Sequence, residues 1–386
     1  MGSIVIPVAE KKVLFKMSVE DGQPLVPFSI DDITQMNLGS TMSRAIIDNL
    51  YGINHRQIAS AVPINKDQYG LTFFTRPQLN LTTANLRNER IMIPLLAADT
   101  KSYQRYIRTQ LDPRIMDGYS TKNPETRRLG PEACPFTDMK NPFLPLLTNN
   151  LISMSGWPDI TVPTSGSEAG MYKEEWGMVD GVVKNYTSYD ITATFRNLRG
   201  DPITSMFFYW AHYMAAVFEG TLLPYPDYIV GNVIDYNTRI YRLVLDSSKR
   251  YVQSIAATGA AFPIADPIAG KFDFNSEKPY NDVNAQIAIP FKCYGAIYND
   301  DILVWAFNKL VSTFNTAMRD DRRDSLMIAI PYEYLKLFNN RGYPRINPES
   351  YELQWWIEID HYNTKKAQFD QAMAALGTSI IDDTFA

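Results

Sequence analysis

The chain has 386 residues, 45% hydrophobic and 20% charged, an ordinary globular balance with room for two or three domains and a sizeable core, which argues against disorder. A net charge of −5 with no basic cluster argues against a grip on nucleic-acid phosphates, which clustered Lys and Arg would have to supply. Two distant cysteines, Cys134 and Cys293, exclude a zinc ribbon and a dense disulfide framework and read as free thiols.

Met1 to Val8 lacks the charged region and apolar core of a secretory signal. Met1-Gly2 opens like a myristoylation site, but Ile6 stands where Ser or Thr is required. No stretch reaches the ~18 apolar residues of a membrane span, and the sequons at Asn80 and Asn185 read as unmodified. A strand is expected at Ile4 to Val8 and a helix from Asp31 to Leu50, entered through Ser29 and Asp32, so residues 1–69 read as an arm or adaptor. Gly70 to Pro77 is β-branched and aromatic, and Pro77 forces it to a sheet edge or strand end. Leu79-Asn80-Leu81 continues it in extended form.

A polar helix is expected from Asp99 to Leu111, then a Pro- and Gly-rich loop from Pro113 to Pro145, so residues 81–156 read as an insertion. Order returns at Trp157-Pro158. Ile160, Val162 and Thr164 to Ser167 suggest an extended strand and a flexible turn. Tyr189, Ile191, Ala193 and Phe195 then alternate with Asp190, Thr192, Thr194 and Arg196, the period of a half-buried strand. Asn197, Gly200 and Asp201 break it, and Asp201-Pro202 reads as an N-cap with proline at the first helical position.

From Ile203 the apolar residues Phe207, Trp210, Met214 and Val217 keep one helix face apolar until Gly220. Met206, Tyr209 and Tyr213 widen that stripe beyond a single contact. Either self-association or a deep monomer core accounts for the width. Three more strand-like runs follow to Asn308, within them Thr238 to Asp246. After Asp300-Asp301, which reads as the turn closing a strand, Ile302, Trp305, Ala306, Phe307 and Leu310 have partial helical spacing. Ser325 to Tyr334 is strand-like, Tyr351 to Ile359 alternates as a strand, and Thr364 to Leu376 reads as a short helix, giving a C-terminal extension over 309–386. The run Asp320-Asp321-Arg322-Arg323-Asp324 reads as a self-neutralising solvated turn. There is no repeat of fixed period.

Catalytic chemistry finds little support. His55, His212 and His361 have no partners at metal-ligand spacing. Phosphate-loop and dinucleotide motifs are missing, and Gly166-Ser167-Glu168-Ala169-Gly170 has the wrong spacing for a nucleophile elbow. Asp300-Asp301, Asp320-Asp321 and Asp382-Asp383 read as loop features rather than calcium ligands. Glu168, Glu174 and Glu175 are the one acid cluster a hydrolase would use. No catalytic, cofactor-binding or metal-ligating residue is assigned, no cofactor is expected, and the chain reads as no enzyme. Aromatic residues reach 12%, with 23 tyrosines and six tryptophans; such residues are enriched at protein interfaces, and a tyrosine-rich β core is the plainer alternative. Stacking on glycan rings is a third use for them.

The order of elements resembles the tail-tube fold shared by contractile phage tails, type VI secretion tubes and related injection machines. The passages that carry it are Asp190 to Asn197, Pro202 to Gly220, Thr238 to Asp246 and Ala257 to Asp300. Within the last, Thr258 to Pro263 is similar to the family's small-residue and aromatic-proline segment, Ile268 to Asn275 to its short strand, and Asn284 to Tyr294 to its closing strand. Thr72 to Pro77 with Leu79 resembles the amino-terminal strand of such proteins. The likeness is one of pattern and covers about half the chain. It departs from the family in length and in Pro290, which interrupts the closing strand.

The resemblance implies an α+β, β-rich fold, a tail-tube-like β-barrel or sandwich with one packed helix, its module formed by 70–80 and 157–308. It implies a structural virion protein, assembled in the host cytoplasm, that joins copies of itself sheet to sheet into a ring, typically a hexamer. Such a ring would belong to the tail tube or its baseplate-proximal initiator and contact tube, sheath or baseplate proteins. DNA would pass through a bore of acidic or neutral side chains without specific binding, and no membrane insertion by this chain is implied. A host-recognition or glycan-binding virion protein is the alternative.

Overall fold

The computed structural model describes residues 69–114, 133–182, 187–266, 268–269, 272, 277, 286–339 and 341–383, with side chains as far as residue 371. The expected elements at Ile4–Val8 and Asp31–Leu50, His55, the middle of the Pro113–Pro145 loop, Asn185 and most of Ile268–Asn275 lie outside the described residues.

β1 (Tyr69–Phe74) is an edge strand, as the nearby Pro77 demands. Leu79 and Leu81 are fully buried but join no ladder. A 3-10 turn at Arg90–Leu96 leads to α1 (Tyr103–Leu111), which starts later than Asp99 because Ser102 is the cap: its hydroxyl accepts from Arg105 N at 3.3 Å. The Asp99 carboxylate instead closes a turn on Lys101 N at 2.9 Å. β2 (Leu151–Ser155) follows, then β3 (Thr164–Gly166) and β4 (Gly177–Val179), which pair only with each other in a two-stranded hairpin.

β5 (Ser188–Arg196) buries Ile191, Ala193 and Phe195 and exposes Asp190, Thr192 and Arg196, as its alternation requires. α2 (Pro202–Glu219) starts at the proline and ends at Gly220, whose φ of 78° suits the left-handed C-cap. Asp201 stands at the cap without a capping hydrogen bond. Its φ is 49°, and its carboxylate accepts from Asn197 Nδ2 at 2.7 Å. Phe207 stacks on Trp210 and meets Phe291 edge-on, so one flank of α2 faces the sheet. The other packs with Met92, Leu95, Ile107 and Leu111 from the 3-10 turn and α1. The wide apolar stripe is therefore covered on two sides within one chain.

α3 (Pro226–Gly231) precedes β6 (Ile240–Leu245), β7 (Val252–Pro263) and β8 (Gln286–Tyr298). Pro290 does not interrupt β8. Its carbonyl accepts from Ile264 N at 2.9 Å, and in an antiparallel strand a residue's N and C=O point the same way, so the missing N–H faces the point where β7 leaves the sheet. The sheet has six antiparallel strands in the order β1-β6-β7-β8-β5-β2. Among the described residues of one chain it is open, with two edges, and does not close as a barrel.

α4 (Asp301–Phe314) is capped by Asp300, whose carboxylate accepts from Ile302 N at 3.0 Å. Asp300-Asp301 thus starts a helix where a closing turn was expected. The helix expected from the partial spacing forms here; its buried face is Leu303, Val304, Phe307, Val311 and Phe314, and of the residues that carried the spacing Phe307 is buried, Ala306 and Leu310 are half-buried, and Ile302 and Trp305 are exposed. Phe307 joins Phe73, Phe143 and Tyr241 in a second core cluster, beneath a small sheet. That sheet has the order β10 (Tyr343–Ile346), β11 (Leu353–Glu358), β9 (Met327–Ala329). Ser325–Tyr334 is only briefly a strand, because a helical turn at Arg323–Leu326 and a 3-10 turn at Tyr332–Tyr334 flank β9. The last helix, α5 (Ile359–Asp383), is longer than expected.

Candidate assembly interface

Two features of the six-stranded sheet are left open. The first is its edges. The outer side of β1 is paired only at its end, where Leu144 N donates to Phe74 O at 2.8 Å and Arg76 N to Pro142 O at 2.9 Å; no strand flanks Tyr69–Phe73 there among the described residues. β2 forms the opposite edge and carries exposed Ile152 at a register shift between Leu151 and Ser153. Unpaired edges are templates for another chain.

The second is the face away from α2. Register places Ser153 and Ser155 beside Thr194 and Thr192, and those beside Ala288 and Pro290. One charge pair on this face is self-compensated: Lys292 Nζ meets Asp190 Oδ1 at 2.9 Å, and this hydrogen bond raises the ammonium pKa. Arg196 stands exposed at the end of β5. Register puts half-buried Arg242 on the same face, so the face is hydroxyl-rich with a small excess of cations rather than acidic.

Residues singled out for chemistry are scattered. Glu168, Glu174 and Glu175 lie exposed on the β3–β4 hairpin, where Glu174 Oε2 accepts from Tyr172 N at 2.7 Å. The Gly166–Gly170 run belongs to the same hairpin. His212 packs edge-on against Phe208 with ring centroids 4.3 Å apart, and His361 lies exposed beside Phe338. Asp301 Oδ1 accepts from Tyr351 OH at 2.5 Å. Asp320 and Asp324 pair with Arg323, Asp321 with Arg322, as a self-neutralising turn should. The side chains of Asp382 and Asp383 lie outside the described residues. No three His, Cys, Asp or Glu among the described residues group to hold a metal ion. Cys134 and Cys293 are buried free thiols, and burial pushes the Cys293 pKa up to about 12. Trp210 is buried, with Nε1 donating to Tyr236 O at 3.1 Å; Trp157, Trp355 and Trp356 are half-buried, and Trp176 and Trp305 are exposed in separate elements. No helix of the described residues is long and apolar enough to cross a membrane.

Sequence reasoning missed a buried polar cluster that ties α1 to the segment after α2. Asp112, fully buried, accepts from Leu81 N at 2.9 Å, Arg114 N at 3.0 Å and Tyr225 OH at 2.9 Å. Burial pushes its pKa up to about 6 against those bonds and the nearby Arg108 charge. Tyr213 OH donates to Asp235, whose pKa burial also raises. Arg114 completes the tie, bonded to Asp227 at 2.8 Å and lying over the Tyr225 and Tyr228 rings. The two links that join α1 to the later segment, Tyr225 to Asp112 and Arg114 to Asp227, span 113 positions each and leave no local pattern to read.

Residues 27–373 match a family model described as "Putative phage tail tube protein". Among solved structures, the chain is similar to the PVC sheath/tube terminator, in its extended state, of an extracellular contractile injection system. The two are 14% identical over 38% of this chain and 84% of that one, with a TM-score of 0.22. It is also similar to the cap of the anti-feeding prophage, the AFP tube terminating cap, at 13% identity over 38% of this chain and 78% of that one, with a TM-score of 0.23. At such scores the likeness is too slight to argue from. No curated protein matches the chain.

Proposed function

The chain belongs to a phage tail tube protein family and is a structural component of the virion tail, and from that premise we propose that its copies close into a ring of a contractile tail tube or of the tube's baseplate-proximal initiator. The observation that carries this reading is an antiparallel sheet with two open edges and an uncovered face. Joining the β1 edge of one copy to the β2 edge of the next is a heterologous contact, and repeated about an axis it closes a barrel no single copy can close. Burial at each seam contributes about 25 cal/mol per Å2 of apolar area before association costs.

Closure with the uncovered face inward would line the bore with Ser, Thr and Ala, the self-compensated Asp190–Lys292 pair and two separated cations, Arg196 and Arg242. Such a lining gives a DNA backbone little to hold, which suits a conduit for ejection. Hexameric closure, sheath or baseplate neighbours and DNA passage belong to this proposal, as does the division into an arm (1–69), module (70–80 and 157–308), insertion (81–156), whose last strand β2 is added to the module's sheet, and extension (309–386). A structural family suggests no enzymatic role.

Electron microscopy of the purified full chain across a concentration series tests the reading. Annular particles with a central hole are expected; monomers at every concentration would overturn it.

A further inference from the structure

The β3–β4 hairpin packs into neither sheet of its own chain. Its ladder runs from Asp180 N on Pro163 O through Ser167 N on Trp176 O to Gly170 N on Glu174 O, so it projects as an arm. Met171 is 87% exposed, Tyr172 84% and Trp176 67%, with Met178, Val179 and Val182 also open. An isolated two-stranded hairpin is marginal in water, and clustered exposed apolar side chains mark a surface that meets a partner. Charge narrows that partner. Over residues 156–182, Asp159, Glu168, Glu174, Glu175 and Asp180 face the single cation Lys173.

One surface of the same chain has the complementary character. The outer side of the 3-10 turn and α1, away from α2, exposes Ile91, Ile93 and Tyr103 among the cations Arg87, Arg90 and Lys101, which outnumber Glu89 and Asp99. Another exposed apolar surface, Phe218, Leu223 and α3 with Val230, offers an acidic arm no net positive charge, because Glu219 is exposed there and Arg114 is already paired with Asp227.

We infer that the hairpin of one copy docks on the Arg87–Arg105 surface of a second copy, Trp176 and its apolar neighbours against Ile91, Ile93 and Tyr103, with the glutamates facing the arginines. The inference rests on the self-association reading and adds a contact apart from the sheet edges.

Charge exchange tests it in the full chain by sedimentation velocity at ~0.1 M salt, where partly exposed charges still act at close range. Glu174→Lys with Glu175→Lys, and separately Arg87→Glu with Arg90→Glu, should each weaken self-association by roughly tenfold or more, and all four together should restore it. All four side chains are exposed, so melting midpoints should not move. Association unchanged by either pair, or not restored by the combination, overturns the docking and leaves the ring reading standing; a wild-type chain that never associates sinks both. As a second measure, a mixture of the Trp176→Cys and Ile93→Cys chains treated with a short bismaleimide should yield a cross-linked dimer that neither gives alone, since Cys134 and Cys293 are buried. No dimer specific to the mixture counts against the docking.

Discussion

Asp112 is the residue whose environment departs most from its chemistry, a carboxyl with no solvent exposure held by two backbone N–H groups and one phenol. Its folded pKa of about 6 lies above the unfolded value near 3.9. The folded state therefore binds the proton more tightly. The stability this contributes is fully present below about pH 3.9 and is lost as pH rises through 6, on the order of 3 kcal/mol across the window. Asp112→Asn should remove that dependence: from pH 4 to 7 the wild-type melting midpoint falls relative to the variant's. Parallel curves would refute the assignment. Gly156 is constrained by space and backbone together. Its φ is 105°, and a Cβ there would stand 2.1 Å from the Asp190 carbonyl oxygen on β5. Gly156→Ala should cost about 1–3 kcal/mol in denaturant unfolding, through strain and displacement of the β5 backbone.

Among the elements, α2 shows what periodicity can and cannot disclose. Ile203, Phe207 and Trp210 announce its buried face, and Pro202 and Gly220 its ends, because capping and the 3.6-residue repeat are local. Phe218 is as apolar as Phe207 but 93% exposed, since it lies past the reach of both the sheet and α1. Phe207→Ala should cost about 3–5 kcal/mol, because the ring contacts Phe195, Trp210 and Phe291 and leaves a cavity. Phe218→Ser should stay within about 0.5 kcal/mol. Equal costs in urea titrations would mean the helix is rotated. The alternation of β5 was legible for the same local reason. The working face of α4 was not, because Ile302 and Trp305 fit a helical stripe as well as Leu303 and Phe307 do, and only the position of β6 and β7 decides between them. The cluster around Asp112 was illegible at any level of pattern, since Tyr225 and Asp112 meet through folding alone.

For the whole molecule the consequential surprise is β2. Five residues with two serines, Leu151–Ser155, sit at the end of a Pro-rich stretch and give no strong strand signal, yet they form one border of the main sheet. β1, the other border, pairs with a strand some 170 positions away, so both edges depend on long-range closure that local propensity cannot reveal. If copies join at these borders, stability and assembly should separate under substitution. Ile152 is 45% exposed on the outermost strand, at the register shift, and its side chain supports little of the core. A lysine there follows a device by which edge strands avoid pairing: its charge would have to be desolvated for a neighbouring strand to approach. Ile152→Lys should leave the melting midpoint of the dilute protein within the range of an ordinary surface change, about 0.5 kcal/mol, while abolishing annular particles in micrographs of the concentrated protein. Rings that form as readily as in the wild type would mean that β2 is not the seam.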